Sequence, residues 1–417
     1  MGPARRWLLA VLVCTAASAR AEDAPPTSSQ SNSEPQPEPK KRHLRYFAIP
    51  NASFDTDDGL GFGARGELAI EEPGYSPYKM AFVLHAFATL RGYQHHRFRF
   101  DATGLGPKHN LRFTMHVAWR QWLNDGYWGI GNTTARLRSM VADDIQDGDV
   151  RVKFYRYSLF QPFLHSTLRA KLNGGFEAFT SLDIKYSVIK TYQGSLLAAE
   201  RPFGIDGGLG VIATGGIIYD TRKPEVNPRS GIMAELSARV SAPGGAGTFG
   251  GPFFSIRGFV TPTPRLTIAF RFVMEALFGQ VPFYEMVHWG GSVPITGFGG
   301  FETLRGIAFG RWHSPGKAVF NTELRIKLGE HKLFKRSFQW QLGLFGDVGM
   351  TFYAPDSTAS GGPPFHPGAG AGLRLIFDEL FVARIDTAVG LDPIREANGQ
   401  ITNEGTLGFF IVFDQAF

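Results

Sequence analysis

The 417-residue sequence contains little cysteine, modest charge and no long apolar run. Its one cysteine is Cys14, and charged residues make up 19% of the chain. No apolar run reaches the roughly 20 residues that a membrane-spanning helix needs. The net charge of +6 is mild for this length, and no basic run is dense enough to indicate nucleic-acid binding. The sequence therefore argues against a helical membrane protein and against a nucleic-acid partner.

Familiar catalytic motifs are also missing. The sequence has no Gly-x-Ser-x-Gly elbow, no His-Glu-x-x-His pair and no phosphate-binding loop. His95 and His96 are adjacent, but neighbouring residues of a strand face opposite sides, so the two cannot easily share a metal ion. We predict no metal, no cofactor and no enzymatic activity. A hydrolase whose catalytic residues come from different strands stays open.

The first 21 residues have the pattern of a secretory signal peptide. Arg5 and Arg6 precede an apolar run over residues 7–17, and small residues follow it, so we predict cleavage after Ala21. Cys14 lies in the middle of the apolar run, and a lipoprotein is the less favoured alternative. Cleavage would leave a mature chain without cysteine, which excludes disulfides, thiol catalysis and cysteine metal sites.

Residues 22–43 are rich in proline, serine, glutamine and glutamate and end in a basic run. A segment of this composition cannot bury a core, so we predict a disordered periplasmic lead. The remaining residues, 44–417, are predicted to form one domain.

Alternation with a period of two dominates this domain. Between residues 318 and 328, apolar side chains occupy every second position and Asn321, Glu323, Arg325 and Lys327 occupy the others. A soluble sandwich does not explain the number and length of such runs. Strands of roughly 9–11 residues with an apolar outer face and a polar inner face are typical of a transmembrane barrel. Lipid offers no hydrogen bonds to the backbone, so such a sheet has to close on itself.

Sixteen strands are predicted, the first at 44–54, the sixth and seventh at 150–163 and 167–185, and the last at 406–417. The longest connections all fall on one side of the barrel: they are residues 123–149, 187–207, 279–317, 351–366 and 392–405. The predicted fold is an all-β, 16-stranded antiparallel transmembrane β-barrel. We place it in the outer membrane of a Gram-negative bacterium, with both termini in the periplasm and a long extracellular loop folded inward.

That loop, roughly residues 279–317, contains the run Leu304, Arg305, Gly306 and Ile307. Loops of this length without periodicity are usually functional or disordered, and a charged arginine beside glycine between aromatic residues argues against disorder. We predict that the loop folds into the barrel and that Arg305 finds a buried acidic partner.

Four motifs in a fixed order resemble the BamA/TamA superfamily of outer-membrane barrels, also called the bacterial surface antigen family. The similarity extends over about residues 44–417. The motifs are a periplasmic turn with Asp220, Arg222, Pro228 and Gly231, the loop run at residues 304–307, the strand at residues 321–325, and a strand motif with Phe345, Asp347 and Gly349.

The resemblance implies that Arg305 reaches into the lumen and pairs with Asp347 and, secondarily, with Glu323. The alternation agrees, because both acidic residues fall on the polar face. Ile307 departs from the family's aromatic residue at that position. Phe417 is predicted as the C-terminal signature of the last strand.

Family members that assemble or secrete proteins carry periplasmic POTRA domains, and here the lead alone precedes the barrel, so the expectation is a barrel-only member. The implied partners are outer-membrane lipids and lipopolysaccharide, the barrel assembly machinery for its own insertion, and a possible separate periplasmic partner.

Three functions remain open from the sequence. The favoured one is a non-enzymatic factor that aids insertion or translocation of proteins or lipids through a weak seam between the first and last strands. Pro50 in the first strand lacks a backbone donor, which is tolerated at such an edge. The alternative is a passive channel or surface-structural barrel with a loop plug, and the outsider is an outer-membrane hydrolase.

Overall fold

A computed structural model describes most of the domain. The described residues are 42–55, 58–75, 78–132, 134–141, 149–224, 227–243, 246–333, 336–352, 365–377 and 381–412. The predicted signal peptide, all but the last two residues of the predicted lead, and Phe417 lie outside these ranges.

Sixteen long antiparallel strands form one sheet. They are β1 (His43–Asp55), β2 (Gly59–Glu71), β3 (Met80–Thr89), β4 (Tyr93–Leu105), β5 (Leu111–Gly126), β6 (Arg156–Lys171), β7 (Phe176–Thr191), β8 (Gly208–Asp220), β9 (Gly231–Ser241), β10 (Phe249–Thr263), β11 (Leu266–Ala276), β12 (Gly316–Leu333), β13 (Arg336–Phe352), β14 (His366–Phe377), β15 (Phe381–Arg395) and β16 (Ile401–Val412). Each strand pairs with the next one along the chain, and β1 also pairs with β16. The sheet is a closed barrel, and the predicted fold class is confirmed.

In the part of the chain that the structure describes, helical structure is confined to short pieces. One α-helix, α1, spans Leu196–Glu200, and four 3₁₀ turns span Arg138–Met140, Val150–Lys153, Asn173–Gly175 and Phe283–Glu285. Among the described residues, no helix is both long and apolar enough to cross a membrane.

The barrel is polar inside and apolar outside. In β9, Glu235, Ser237 and Arg239 are buried, whereas Leu236 and Val240, at alternate positions, are 62% and 57% exposed. Successive side chains of a strand point to opposite faces, so one face of β9 lines the lumen and the other lies on the outer surface. An exposed apolar surface combined with a charged interior suits lipid outside and hydrogen-bonding partners inside.

Within the described residues the long connections lie at one end of the barrel, as predicted, and the predicted long connection at residues 351–366 lies largely outside the described residues. The segments at residues 127–155, 192–207 and 277–315 each follow an odd-numbered strand. Connections after even-numbered strands are shorter, such as Pro264 and Arg265 between β10 and β11.

The predicted boundaries of the sixth and seventh strands are wrong. The sequence places a turn at residues 163–166, but β6 continues to Lys171 and the turn is the 3₁₀ segment Asn173–Gly175. Gly174 and Gly175 have φ angles of +71° and +86°, a conformation that favours glycine. Pro162 is accommodated inside β6, where the pairing with β7 passes from Phe160 directly to Phe163.

The last strand begins earlier than predicted. It starts at Ile401 rather than at residue 406, because β15 continues to Arg395 and pairs there with Ile401; the predicted strand end at residues 413–417 lies outside the described residues. The connection between the two strands is therefore residues 396–400, shorter than the predicted outer loop at residues 392–405. Polar residues at this end obscured the strand pattern in the sequence.

Closure of the barrel joins β1 to β16. Within the described residues this pairing consists of Phe54 opposite Ile411 and Asp55 opposite Phe410, and β16 is described only as far as Val412. On its other side, β1 pairs with β2 along its whole length.

The lipid-facing assignment predicts a difference between two leucine-to-arginine substitutions. Leu236→Arg, at the centre of β9 on the outer face, should cost about 2–4 kcal/mol of unfolding free energy, because it places a charge at mid-membrane depth. Leu90→Arg, in the connection between β3 and β4 where Leu90 is 77% exposed, should cost about 0–1 kcal/mol. Urea titration of the protein in lipid vesicles measures both, and equal costs would contradict the assignment.

Candidate functional site

The segment between β11 and β12, residues 277–315, folds into the barrel after Phe278 and Gly279, which are exposed and pair with β10, and we call it the lumen loop. Its apolar side chains form one cluster with inward-facing strand residues. Trp289 and Trp312 have no exposed surface, and Leu304 and Ile307 of the predicted motif belong to the same cluster. On the wall, the cluster is completed by Phe253, Val273 and Val319. Burial of this much aromatic and aliphatic surface holds the loop in the lumen.

Arg305 lies at the centre of the loop's contact with the wall. Its Nε donates to Asp347 Oδ2 at 2.8 Å and its Nη2 to Asp347 Oδ1 at 2.9 Å, a bidentate arrangement. Its Nη1 donates to Glu323 Oε2 at 3.1 Å. The guanidinium carbon lies 3.5 Å from the centre of the Phe345 ring, so a cation–π contact adds to the two ion pairs. The structure thus brings Arg305 to both acidic residues named from the sequence.

The backbone contributes to the same contact. The amide N–H of Arg305 donates to Asp347 Oδ2 at 3.0 Å. Asn321, on β12, also donates to Asp347, at 2.7 Å. Burial lowers the pKa of the Arg305 guanidinium, but the charge of Asp347 and its hydrogen bonds, followed by the charge of Glu323, outweigh burial and raise that pKa above its ordinary value. Arg305 is therefore a permanently charged group held by fixed acceptors.

Glycines permit the close approach. Gly306 has a φ of +89°, and a Cβ on it would lie 2.5 Å from the carbonyl carbon of Val389 in β15. A Cβ on Gly349 would lie 2.9 Å from the ring of Phe298 and 3.2 Å from Leu304. Both positions of the predicted motifs therefore lack side chains where the loop touches the wall.

Ile307 occupies the position that is aromatic in the resembling family. A Cβ on Gly390 of β15 would meet its side chain at 2.5 Å. The branched aliphatic side chain thus fills the space above a glycine of the wall, and it contributes packing in place of ring stacking.

The Arg305 contact belongs to a larger charged network that the sequence reasoning missed. Glu323 also accepts from Arg325 at 2.6 Å and pairs with Arg374 at 2.7 Å. Asp386 pairs with Arg384, and its Oδ2 lies 3.8 Å from Arg305 Nη1. Four guanidinium groups therefore surround three carboxylates, all with 1% exposure or less: Arg305, Arg325, Arg374 and Arg384 with Glu323, Asp347 and Asp386. On β14 and β15, Arg374, Arg384 and Asp386 occupy the alternate positions that face the lumen, and this pattern in the sequence could have identified them.

A second anchor holds the lumen loop to the opposite part of the wall. Glu285, in the loop, pairs with Lys185 of β7 at 3.0 Å and with Arg239 of β9 at 3.3 Å. Deeper in the loop, the N–H and the hydroxyl of Ser292 each donate to Glu235 at 2.7 Å. These pairs join residues from 46 to 100 positions apart, so no local spacing in the sequence pointed to them.

A second loop lies against the first. We call the described part of the connection between β5 and β6, residues 127–132, 134–141 and 149–155, the covering loop. Asp392 of β15 accepts from Arg311 of the lumen loop at 2.7 Å and pairs with Arg136 of the covering loop at 2.6 Å. The two loops are therefore joined through one carboxylate of the wall.

The covering loop also reaches the last strand. Arg138 pairs with Glu396, in the connection between β15 and β16, at 2.8 Å, and with Glu404 of β16. The loop begins at the end of β5, so these ion pairs extend from the first third of the barrel to its final strand.

The predicted periplasmic turn forms a compact unit at the other end of the barrel. Arg222 donates to Asp220 through its backbone at 3.0 Å and its side chain at 2.7 Å. Pro228 is buried, and a Cβ on Gly231 would lie 2.3 Å from the Thr221 carbonyl oxygen. The structure does not bring this turn together with Arg305, because the turn follows an even-numbered strand and the lumen loop an odd-numbered one.

One buried chain of hydrogen bonds has the order of a catalytic relay. His165 Nδ1 lies 2.9 Å from Asp183, His165 Nε2 lies 2.9 Å from the Thr167 hydroxyl, and that hydroxyl lies 3.0 Å from the Ser181 hydroxyl. All four side chains are buried, and their hydrogen bonds join β6 to β7. Among the described residues, no group of three acidic, histidine or cysteine side chains could hold a metal ion.

Energetic coupling should identify the Arg305 contact. In a double-mutant cycle, Arg305→Gln and Asp347→Asn should show a coupling of about 1–3 kcal/mol, because both changes act on one buried, hydrogen-bonded pair. The measurement is the unfolding free energy in lipid vesicles. The matched control combines Arg305→Gln with Asp183→Asn, another buried lumen carboxylate, and should be additive within about 0.5 kcal/mol. Additivity of the first pair would contradict the assigned contact.

Comparison with known proteins agrees with this architecture. Residues 209–411, which include the β8–β9 turn, the lumen loop and its acidic partners, match the family model described as the Omp85 superfamily domain. The structure of BamA from Haemophilus ducreyi lacking POTRA domains 1–3 is similar, with a TM-score of 0.53 and 12% identity over 89% of this chain and 70% of that chain. CdiB from Acinetobacter baumannii gives a TM-score of 0.48 and 11% identity over 89% and 60% of the two chains.

No curated protein matches the chain. At 12% identity, the BamA structure shows the fold alone, and the link to a family comes from the match over residues 209–411. The resemblance to BamA-type barrels that the four motifs indicated is confirmed. Residues 209–411 of this sixteen-stranded barrel match the Omp85 superfamily domain.

Proposed function

We propose that this barrel resides in the outer membrane of a Gram-negative bacterium and aids the insertion or translocation of proteins or lipids through the seam between β1 and β16. The action is non-enzymatic. The carrying observation is the seam itself, which within the described residues joins Phe54 to Ile411 and Asp55 to Phe410. The match to the Omp85 superfamily, whose barrels serve insertion and transport, supports the same proposal.

A seam with few hydrogen bonds is the least costly place to open a barrel. Each backbone hydrogen bond contributes about 0.5–1.5 kcal/mol net, so a donor missing from an edge strand lowers the resistance to separation. Pro50, within β1, has no N–H to offer to a neighbouring strand. The ring contact between Phe54 and Phe409, with centroids 5.7 Å apart, adds a modest side-chain contribution.

The interior favours a lateral path over a central one. The lumen loop is held on opposite walls by Arg305 and by Glu285, and both side chains are almost fully buried. Removing the loop would leave several buried charges without partners, and each broken ion pair would cost about 3–5 kcal/mol of stability. Opening the seam breaks no such pair in the Arg305 network.

A disulfide across the seam tests the proposal. Phe54→Cys with Ile411→Cys should lock β1 to β16, because the two residues are direct cross-strand partners. We expect the oxidised variant to lose its acceleration of the folding of a urea-unfolded eight-stranded barrel into liposomes, and reductant to restore it. Heat-dependent migration on gels measures the folded client. Cys14, the sole natural cysteine, lies in the predicted signal peptide.

The control places the disulfide between Phe54 and the strand on the other side of β1. Phe54 also pairs with Leu60 of β2, so Phe54→Cys with Leu60→Cys introduces an equivalent disulfide that leaves the seam free. This variant should act like the wild type. Full activity of the seam-locked protein would reject the lateral mechanism.

The second candidate is a passive channel or surface-structural barrel in which the lumen loop is a plug. The observation in its favour is the burial of Trp289, Trp312 and Arg305 inside the barrel. Arg305→Ala should then raise single-channel conductance in planar bilayers, because it removes the charged contact that holds the plug. Arg201→Ala, at a position in the β7–β8 connection whose side chain is 66% exposed, is the control and should leave conductance unchanged. Equal conductance in all three proteins would reject the plug.

We infer that hydrolysis is not the function. The hydroxyl–imidazole–carboxylate chain at Thr167, His165 and Asp183 is the arrangement most like a catalytic one, but Thr167 is 3% exposed. A nucleophile needs access to its substrate, so the chain fits a role in joining strands. The proposed partners are outer-membrane lipids and lipopolysaccharide, the barrel assembly machinery and a separate periplasmic protein.

A further inference from the structure

The inner wall of β2 to β5 concentrates basic side chains. Across neighbouring strands, Arg65 lies opposite His85 and His85 opposite Arg97. In the next row, Arg99 lies opposite His116. We call this group the basic wall: Arg65, His85, His95, Arg97, Arg99 and His116. With the histidines neutral, the row places the three charges of Arg65, Arg97 and Arg99 on one face of the sheet, where an anion could contact all three.

Arg97 is the centre of the group. It lies directly opposite His85 of β3 and two positions along β4 from both His95 and Arg99, so its side chain points to the same face as theirs. The rings of His85 and His95 have centroids 6.4 Å apart. His96, next in sequence to His95, is instead on the outer face, where its ring lies 5.0 Å from that of Trp119.

The carboxylates nearby are already shared. Glu67 pairs with Arg65 at 3.2 Å and with Arg45 at 3.5 Å. Asp101 pairs with Arg99 at 2.9 Å and with Arg112 at 2.6 Å. Each carboxylate thus serves two guanidinium groups. Among the described residues, His85 Nδ1 and His95 Nε2 are buried atoms without a hydrogen-bond partner, which is a costly condition for a polar group.

The basic wall differs from the network around Arg305 in its access to the lumen. The side chains of Arg65 and Arg99 are 37% and 32% exposed, whereas the four arginines of the other network are at most 1% exposed. Both groups face the barrel interior. The exposed surface of the basic wall therefore faces the lumen, and a solute there can reach it.

We propose that the basic wall binds a phosphate-bearing anion in the lumen. Arg97 would hold the phosphoryl oxygens through its paired N–H groups, and Arg65 and Arg99 would add flanking positive charge. Guanidinium is suited to this role because its planar donors match two phosphate oxygens at once. A neutral imidazole offers one N–H, so His85 and His95 supply further donors. The phosphate could belong to a free anion or to a lipid headgroup, and both offer the same oxygens.

Titration calorimetry on the full chain in detergent tests the site with two probes. One is inorganic pyrophosphate, and the other is a phosphorylated lipid in mixed micelles, with its dephosphorylated form as a blank. We expect Arg97→Gln to weaken binding about tenfold to a hundredfold, the equivalent of one charge-assisted hydrogen bond. The control Arg201→Gln, at an exposed site outside the wall, should bind like the wild type. Tighter binding of the lipid than of pyrophosphate would identify a headgroup as the source.

A measurement on the wild-type protein tests the same site without depending on whether the variant folds. Phenylglyoxal modifies accessible arginines, and mass spectrometry reports the extent at each one. Pyrophosphate or the phosphorylated lipid should protect Arg97 and leave Arg201 reactive. The proposal is overturned if neither probe binds the wild type, if Arg97→Gln binds as the wild type does, or if both arginines are modified equally with and without the ligand.

Discussion

The contact between the Arg305 guanidinium and the carboxylates of Asp347 and Glu323 is the interaction on which the barrel interior depends. A charged group at 1% exposure is tolerated only when its donors find acceptors of fixed position, and here the wall provides them. The loop supplies the cation and β12 and β13 supply the anions. Loop and wall therefore complete each other's hydrogen bonds, and neither has its full set of buried partners alone.

This dependence separates the interior into two regimes. Around Arg305 the charges are dehydrated, numerous and mutually paired, so the interactions are strong and the geometry is rigid. Along β2 to β5 the basic side chains keep part of their surface exposed, so the interior there is accessible and adaptable. The lumen loop occupies the first region, and the second is where the proposed anion would bind.

Much of this could be predicted from the sequence because the barrel repeats one rule. Alternation such as that around Glu323 and Arg325 shows which side chains of a strand face the lumen. The long connections, which all follow odd-numbered strands, show which end of the barrel each connection belongs to. Arg305 and its partners followed from a motif resemblance that agreed with that parity. The turn at Asn173–Gly175 was placed too early in the sequence, because the strand continues past Pro162, which is accommodated where pairing with β7 is interrupted.

Contacts across the lumen could not be predicted, because they follow no local period. Glu285 meets Lys185 at a separation of 100 residues, and Arg138 meets Glu404 at 266. Such pairs depend on where a loop folds once it is inside a closed space. Inward parity limits the candidates for each partner, but choosing among them needs the three-dimensional path of the loop.

The glycine beside Arg305 connects the interior to the barrel's edge. The Gly306 carbonyl oxygen accepts from the Thr406 hydroxyl of β16, and a Cβ on Gly408 of the same strand would lie 3.2 Å from the Gly306 Cα. One peptide unit of the loop thus rests on the strand that closes the sheet. Free-energy linkage is reciprocal, so whatever stabilisation the seated loop lends to β16, a displaced β16 withdraws from the loop in equal measure. Displacement of β16 from the seam and release of the lumen loop from the wall are therefore thermodynamically coupled.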